Sequence, residues 1–187
     1  MERGSLREFY LGELKKGHNA ETQLVSALPA VIQAASAEEL RRTLQSHLEQ
    51  TKDHATRLEM ILDVMGEKPE GVKCVGMESL IAELGEIQGE GLSPEVLDLA
   101  LTAYAQRVEH YEIAMYGTLR DYAGALGDQD TASQLQNTLE EEQEADRQLT
   151  IIGQAITAQV AGREVASEKI DPSFATGETS TRIKPAA

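Results

Sequence analysis

Apolar residues recur every three or four positions along most of this chain, a spacing that predicts long amphipathic helices. The first apolar stripe covers about 5–35, and the second covers about 36–65. The third covers about 93–126 and begins at Ser93, which is followed by a proline, the usual start of a helix. The fourth follows a glycine turn and ends near residue 156. The chain is therefore predicted to be all-α.

The connections between these helices differ in length. The first and third turns are short, whereas the middle connection is long and contains a shorter apolar-periodic stretch over 77–87. Two tight helical hairpins joined by a long crossover form the connection pattern of ferritin-like four-helix bundles. We predict such a bundle over 1–162, with a short extra helix in the crossover. Residues 163–187 lose periodicity and gain Ser, Thr, Pro and Gly, and are predicted to be a flexible C-terminal tail.

Composition narrows the classes of function. The 187 residues carry a formal net charge of −15, with a pI near 4.6, which argues against a nucleic-acid-binding surface. No stretch has the length or apolar character of a membrane span, and no apolar secretion signal precedes the first helix. The single cysteine, Cys74, cannot form an internal disulfide. We expect a cytoplasmic protein that binds neither membranes nor nucleic acids.

Each long helix brings at least one carboxylate to a position expected to face inward. Residues three or four apart share a helix face, so acids at this spacing project together. A buried carboxylate is costly unless it is paired, protonated or bound to a metal. Helix bundles build two-metal sites from such carboxylates on several helices. The candidates are Glu21 on the first helix, Glu49 and Asp53 on the second, Glu109 and Glu112 on the third, and Glu142 and Asp146 on the fourth.

The two hairpins suggest roles for these acids. By their pseudo-symmetry, Glu49 and Glu142 are predicted to bridge the two metals, because bridging carboxylates offset the repulsion between neighbouring cations. Whether His54, Asp53 or Glu109 completes the metal shell stays open. The predicted terminal ligands are Glu21, Glu112 and Asp146.

Other polar residues have simpler interpretations. His47 lies between Leu44 and Leu48 and is interpreted as a core or surface histidine rather than a ligand. Three tyrosines of the third helix are interpreted as packing residues: Tyr104, Tyr111 and Tyr116.

Several stretches carry a family resemblance. They are AQRVEHYEIAMYGTL at 105–119, AETQL at 20–24, HLEQT at 47–51, TLEEE at 138–142 and the connector KCVGMESLI at 73–81. In this order they resemble the YciE/YciF family of bacterial stress proteins, which belongs to the ferritin-like superfamily. The resemblance covers about residues 5–157.

The resemblance implies a ferritin-like bundle, often dimeric, with a di-iron site related to that of rubrerythrin. The usual Glu-x-x-His motif is missing, because Lys52 follows Glu49 and Ala145 follows Glu142 at the histidine position. His54 resembles the histidine end of the rubrerythrin motif and would be the replacement imidazole, with an aspartate, Asp146, as its counterpart. The positions that match the carboxylates of the superfamily are Glu21, Glu49, Glu109, Glu112 and Glu142.

Two hypotheses of function follow. The first is a stress-response oxidoreductase with two iron or manganese ions per chain, which acts on peroxide, dioxygen or ferrous iron. The second is a non-enzymatic helical stress protein in which the metal site is weak or vestigial. Both are expected to form a homodimer.

Overall fold

Five helices make up the computed structural model, which describes residues 4–170. They are α1 (Leu6–Ala34), α2 (Glu38–Val64), α3 (Val75–Gly89), α4 (Pro94–Ala125) and α5 (Gln129–Ile170). Every regular element in this described range is a helix, so the prediction of an all-α protein is confirmed. None of these helices is long and apolar enough to cross a membrane.

The helices pair as two hairpins. Short turns over 35–37 and 126–128 join α1 to α2 and α4 to α5, and each pair packs closely. The long crossover over 65–93 carries α3, which packs against α1 and α4. The hairpins meet through α1 with α4 and α2 with α5. This is the predicted ferritin-like arrangement, with the extra helix in the predicted place.

Two glycines end helices in backbone conformations that other residues rarely adopt. Gly66 has a φ of 74°, and the N–H of Glu67 donates to the carbonyl of Leu62 at 2.9 Å. Gly127 has a φ of 83°, and the following N–H donates to the carbonyl of Ala123 at 3.0 Å. These 6→1 hydrogen bonds are typical of Schellman motifs, so glycine fixes where α2 and α4 stop.

The last helix is longer than its apolar pattern predicts. We predicted an end near Ile156, but α5 continues to Ile170 and crosses the predicted start of the tail at residue 163. No proline lies between the start of α5 at Gln129 and Pro172, so the backbone can stay helical without an apolar stripe. The predicted flexibility of 171–187 concerns residues outside the described range.

A polar layer divides the hydrophobic core in two. One apolar cluster lies around Leu24, Leu44 and Leu101, and the second lies around Leu14 and Leu58. Between these clusters, all four long helices contribute buried polar side chains. Because an interior of close-packed apolar residues is the cheaper alternative, this layer needs a chemical explanation.

Asp98 fixes the join between the two hairpins at the start of α2. Its carboxylate lies on α4, is 2% exposed, and accepts the N–H groups of Ser36 at 2.7 Å and Ala37 at 2.8 Å. The hydroxyl of Ser36 donates to it at 2.6 Å. Ala37, the N-cap residue of α2, has no side-chain cap of its own. Asp98 therefore acts as a cap supplied from another helix, with its negative charge at the positive end of α2.

We expect Asp98→Ala to lower the free energy of unfolding by about 2 kcal/mol, because it leaves buried N–H groups without acceptors. Urea unfolding in the presence of chelator measures this change without a contribution from metal. Asp53→Ala is the matched control, since Asp53 is exposed. Equal stabilities of the two variants would contradict the capping role.

Candidate metal centre

The buried stripe of α2 brings two histidines to the middle of the bundle. Its members Leu44, His47, Thr51, His54 and Leu58 follow one another at spacings of three or four, and all are buried. Such residues share a helix face. Both imidazole rings therefore lie in the interior between the two apolar clusters.

Four glutamates from the other long helices meet these histidines. Glu21 lies on α1, Glu109 and Glu112 lie on α4, and Glu142 lies on α5. None of the four is more than 1% exposed. Four acids and two imidazoles thus occupy one buried layer.

These side chains form two overlapping groups whose potential ligand atoms lie within 4.8 Å of one another. Glu142 belongs to both groups. A carboxylate has two oxygens and can bridge two cations, so Glu142 would be the ligand shared by a metal pair. The first group consists of His47, Glu109, Glu112 and Glu142, and the second of Glu21, His54 and Glu142.

The closest contacts in the layer join imidazole nitrogens to carboxylate oxygens. His54 Nδ1 lies 2.9 Å from Glu142 Oε1 and 4.0 Å from Glu21 Oε1. His47 Nε2 lies 3.3 Å from Glu109 Oε1. Neither the 2.9 Å nor the 3.3 Å contact has the angles of a hydrogen bond, so the nitrogens face the acids without being bonded to them.

Polar groups outside the layer orient two of its members. His54 Nε2 is 2.8 Å from Glu141 Oε2, and Arg57 donates to the same oxygen at 2.9 Å. The hydroxyl of Tyr116 donates to Glu21 Oε1. Histidines that bind metals usually have their other ring nitrogen held by a carboxylate in this way. His54 is therefore fixed with Nδ1 towards the centre.

Many polar atoms of the layer have no hydrogen-bond partner among residues 4–170. Buried polar groups are paired in the great majority of cases, so a concentration of unpaired atoms at one place indicates a ligand. Carboxylate oxygens and imidazole nitrogens are suitable donors to iron and manganese. The residues therefore fit a metal pair. The atoms are Oε2 of Glu21, both ring nitrogens of His47, Nδ1 of His54, Oε2 of Glu109, and both oxygens of Glu112 and Glu142.

The pKa values of these side chains in the metal-free protein also reflect the crowding of buried acids. Burial, followed by the charge of Glu142, raises the pKa of Glu21 to about 8. Burial and neighbouring acids hold the pKa values of Glu109 and Glu112 well above the usual range. Burial alone would lower the pKa of His54, but contact with Glu142 and the charge of Glu21 outweigh it and raise this pKa to about 9. Without a cation, the layer therefore holds protons at neutral pH.

Charge balance explains why divalent cations suit this layer. The four buried glutamates carry four negative charges when ionised, which two divalent cations neutralise, and neutral imidazoles add donors without charge. Protons and cations therefore compete for the same carboxylates.

Three predicted positions lie outside the cluster. The prediction that Glu49 faces inward is wrong: its side chain is 71% exposed and pairs with Lys52 at 2.6 Å. Asp53 is also exposed. Asp146 is 20% exposed, accepts from Gln106 at 3.2 Å and belongs to neither potential metal group.

The stripe of α2 explains the error at Glu49. Glu49 is two positions after His47, or about 200° around the helix, so the two side chains point in opposite directions. His47, which we interpreted as a non-ligand, faces the cluster and occupies the place in α2 that we gave to Glu49. The signal was present in the sequence, because His47 continues the spacing of Leu40 and Leu44. The bond from Tyr116 to Glu21 had no such signal, since it joins different helices.

The remaining predicted ligands lie in the cluster. The structure brings together Glu21, His54, Glu109, Glu112 and Glu142. That they bind metal stays a prediction.

Two helical hairpins around a buried carboxylate and histidine layer define a ferritin-like protein with a candidate two-metal centre. Residues 5–162 match the family described as "Domain of unknown function (DUF892)", and the chain belongs to this family. It is 40% identical to protein YciF of Escherichia coli over 147 residues, which cover 78% of this chain and 89% of YciF.

Solved structures agree with this assignment. The crystal structure of the E. coli stress protein YciF matches with a TM-score of 0.80 and 37% identity, covering 83% of this chain and 98% of that one. YcfI of Rhodopseudomonas palustris, provisionally described as a structural protein, matches with a TM-score of 0.76 and 39% identity, covering 80% and 97%. The Xanthomonas campestris protein XCC3681 has a TM-score of 0.70 at 20% identity, covering 86% and 99%, and supports the fold alone.

We expect the metal-free protein to lose stability as the pH rises from 5 to 8. Over most of this range the folded protein keeps a proton on Glu21, whose pKa is about 8, while the unfolded chain has released it. The unfolded state then binds fewer protons, so the free energy of unfolding falls as the pH rises. A single such group lowers it by on the order of 1.4 kcal/mol for each pH unit between its unfolded and folded pKa values. The raised pKa values of Glu109, Glu112 and His54 act in the same direction.

Urea unfolding in chelator at several pH values measures this slope. Glu21→Gln should make it shallower, because the amide does not titrate, whereas the exposed control Glu49→Gln should keep it. A stability that rises between pH 5 and pH 8 would show that these acids are not protonated in the folded state.

Proposed function

We propose that this chain is a stress-response protein whose buried layer binds two iron or manganese ions and acts on peroxide, dioxygen or ferrous iron. The observation that carries the proposal is the convergence of unpaired donor atoms from Glu21, His47, His54, Glu109 and Glu112 around Glu142. Two ions would be held with Glu142 as the shared ligand.

The residues of the layer have distinct tasks in this proposal. A bound metal pair supplies the one-electron redox steps that amino-acid side chains lack. Tyr116 holds a proton on its hydroxyl towards Glu21, and Glu141 with Arg57 keeps His54 Nδ1 directed inward. The apolar clusters on both sides exclude water, which strengthens electrostatic interactions within the layer.

The stress role comes from the relatives. YciF of E. coli is a stress protein, and the chain shares 37% identity and nearly the full length of that structure. We propose the same setting for this chain. The predicted homodimer and the predicted cytoplasmic location stay predictions.

A non-enzymatic stress protein is the second candidate. The positions of Glu49 and Asp146 outside the cluster favour it, because the layer has fewer carboxylates than the sequence predicts. The raised pKa values of Glu21, Glu109 and Glu112 also favour it, since protonated acids can remain buried without metal. In that case the layer is a polar network, and any metal binding is weak.

Manganese titration of the metal-free protein separates the two candidates. We expect about two ions per chain and a higher Tm with manganese, because a ligand that binds only the folded state stabilises it. Glu142→Gln keeps the shape of the shared ligand and removes its charge. Loss of a residue that only hydrogen-bonds a metal ligand lowers metal affinity about 10- to 100-fold. Because Glu142 would itself be a ligand, the affinity of Glu142→Gln for both ions should fall by more than this. Calorimetry measures the binding, and the electron paramagnetic resonance signal of free Mn²⁺ measures the unbound fraction.

Glu49→Gln is the matched control for this titration. Glu49 is an exposed glutamate outside the cluster, so its loss should leave both the stoichiometry and the affinity unchanged. Less than one weakly held ion per wild-type chain, with no change of Tm, would contradict the metal-dependent function and support the second candidate.

A further inference from the structure

One half-exposed side chain makes a direct polar contact with the buried layer. Glu141 lies on α5, and its side chain is 37% exposed, whereas His54, which it contacts at 2.8 Å, is 1% exposed. The other residue that hydrogen-bonds the layer is Tyr116, which is fully buried and donates to Glu21. Among residues 4–170, the polar link between the layer and solvent is therefore at the seam between α2 and α5.

From this seam, atoms of the kinds that bind metals lead inward. His54 Nε2 faces Glu141, and His54 Nδ1 lies 2.9 Å from Glu142 Oε1. Glu142 is buried, and neither of its carboxylate oxygens has a hydrogen-bond partner in the described part of the chain. A divalent cation that leaves water needs oxygen or nitrogen donors in place of its hydration shell. The seam offers such donors in succession, whereas the two apolar clusters beside the layer are hydrophobic.

Arg57 closes this seam. It lies three residues after His54 on α2, and its side chain is 23% exposed. Its guanidinium donates to Glu141 Oε2 at 2.9 Å and to the hydroxyl of Thr138. Thr138 lies four residues before Glu142, on the same face of α5, so the guanidinium ties the two helices together beside the layer. A cation that binds Glu141 must therefore displace the guanidinium from this carboxylate.

We propose that the seam between α2 and α5 is the entrance through which cations reach the layer. Glu141 receives the cation from solvent, and Arg57 is a gate that opens when its guanidinium leaves Glu141. His54 and Glu142 lie next along the path. The inference rests on the proposed function, because it needs a layer that binds metal, but neither Glu141 nor Arg57 belongs to the potential metal groups.

A purely structural ion pair would behave differently from an entrance. If Glu141 and Arg57 only held α2 to α5, loss of either partner would loosen the seam and change the rate of metal entry in the same direction. At an entrance the two charges act in opposition. Loss of the guanidinium leaves a free carboxylate that attracts cations, whereas loss of the carboxylate leaves an unpaired guanidinium that repels them.

Arg57→Gln and Glu141→Gln distinguish these two cases. Both residues are half-exposed, and the amide of Glu141→Gln can still accept a hydrogen bond from His54. Stopped-flow mixing of the metal-free protein with Mn²⁺, followed with a fluorescent indicator of free Mn²⁺, gives the association rate. A chase with excess chelator then gives the dissociation rate.

The two variants should change the association rate in opposite directions. We expect Arg57→Gln to speed both association and dissociation about fivefold, because opening of the seam no longer breaks a half-exposed ion pair. Its affinity for Mn²⁺ should then change little. Glu141→Gln should slow association by a similar factor. Both effects should shrink at high salt, which screens charges near the surface.

Glu144→Gln and Arg147→Gln are the matched controls for charge. These two residues form an ion pair on α5 at 2.7 Å, and both are more than half exposed. Their replacement changes the net charge by the same amounts away from the seam, so the rates should stay unchanged. Asp146→Asn tests a different route, because Asp146 is 20% exposed and accepts from Gln106 on α4. It should also leave the rates unchanged.

The outcomes separate this inference from the proposed function. Opposite shifts in Arg57→Gln and Glu141→Gln, with unchanged rates in the controls, would support the entrance. Shifts in the same direction, equal rates in all variants, or slower association in Asp146→Asn than in Glu141→Gln would overturn it even if two ions bind. A wild type that binds no manganese would contradict the proposed function and, with it, the entrance.

Discussion

Four buried glutamates in the middle of the bundle are the constraint on which the rest of the structure depends. Transfer of an unpaired carboxylate into a protein interior is among the most expensive changes in folding, and here Glu21, Glu109, Glu112 and Glu142 share one layer. Their charge must be neutralised by protons or by cations. The histidines, the split of the core into two apolar clusters and the outer partners Glu141 and Tyr116 all follow from this requirement.

The fold meets this constraint by holding the two hairpins in fixed register. Glu21 and His54 come from one hairpin, while Glu112 and Glu142 come from the other, so a shift between the hairpins would separate the donors. Asp98 opposes such a shift, because it reaches from α4 to the backbone at the start of α2. The contact of Asp98 with the start of α2 lies away from the layer, but it helps to keep the donor atoms of the layer together.

Much of this architecture could be predicted from the sequence, because helices and their connections leave regular signals. The start of α4 at the Ser-Pro pair and the end of α2 at Gly66 are local and were predictable. Glu21, Glu112 and Glu142 were identified from helix positions expected to face inward and from the family resemblance. Glu49 was misplaced because pseudo-symmetry was preferred to the spacing of α2, on which His47 and not Glu49 faces inward. Contacts between distant segments, such as Tyr116 with Glu21 and Asp98 with Ser36, could not be predicted, since a helical period states only which face is buried. The extension of α5 to Ile170 was not predicted for a related reason, because a helix that leaves the core needs no apolar stripe.

The release of protons on metal binding tests the central claim most directly. At pH 6.5 the raised pKa values leave protons on Glu21, Glu109, Glu112 and His54, and bound cations must displace them. Calorimetric titration of the metal-free protein with Mn²⁺ in buffers of different ionisation enthalpy counts these protons. We predict the release of about two to four protons per chain as two ions bind. Tight binding without proton release, or no binding at all, would contradict the account of a buried acid layer that exchanges protons for metal.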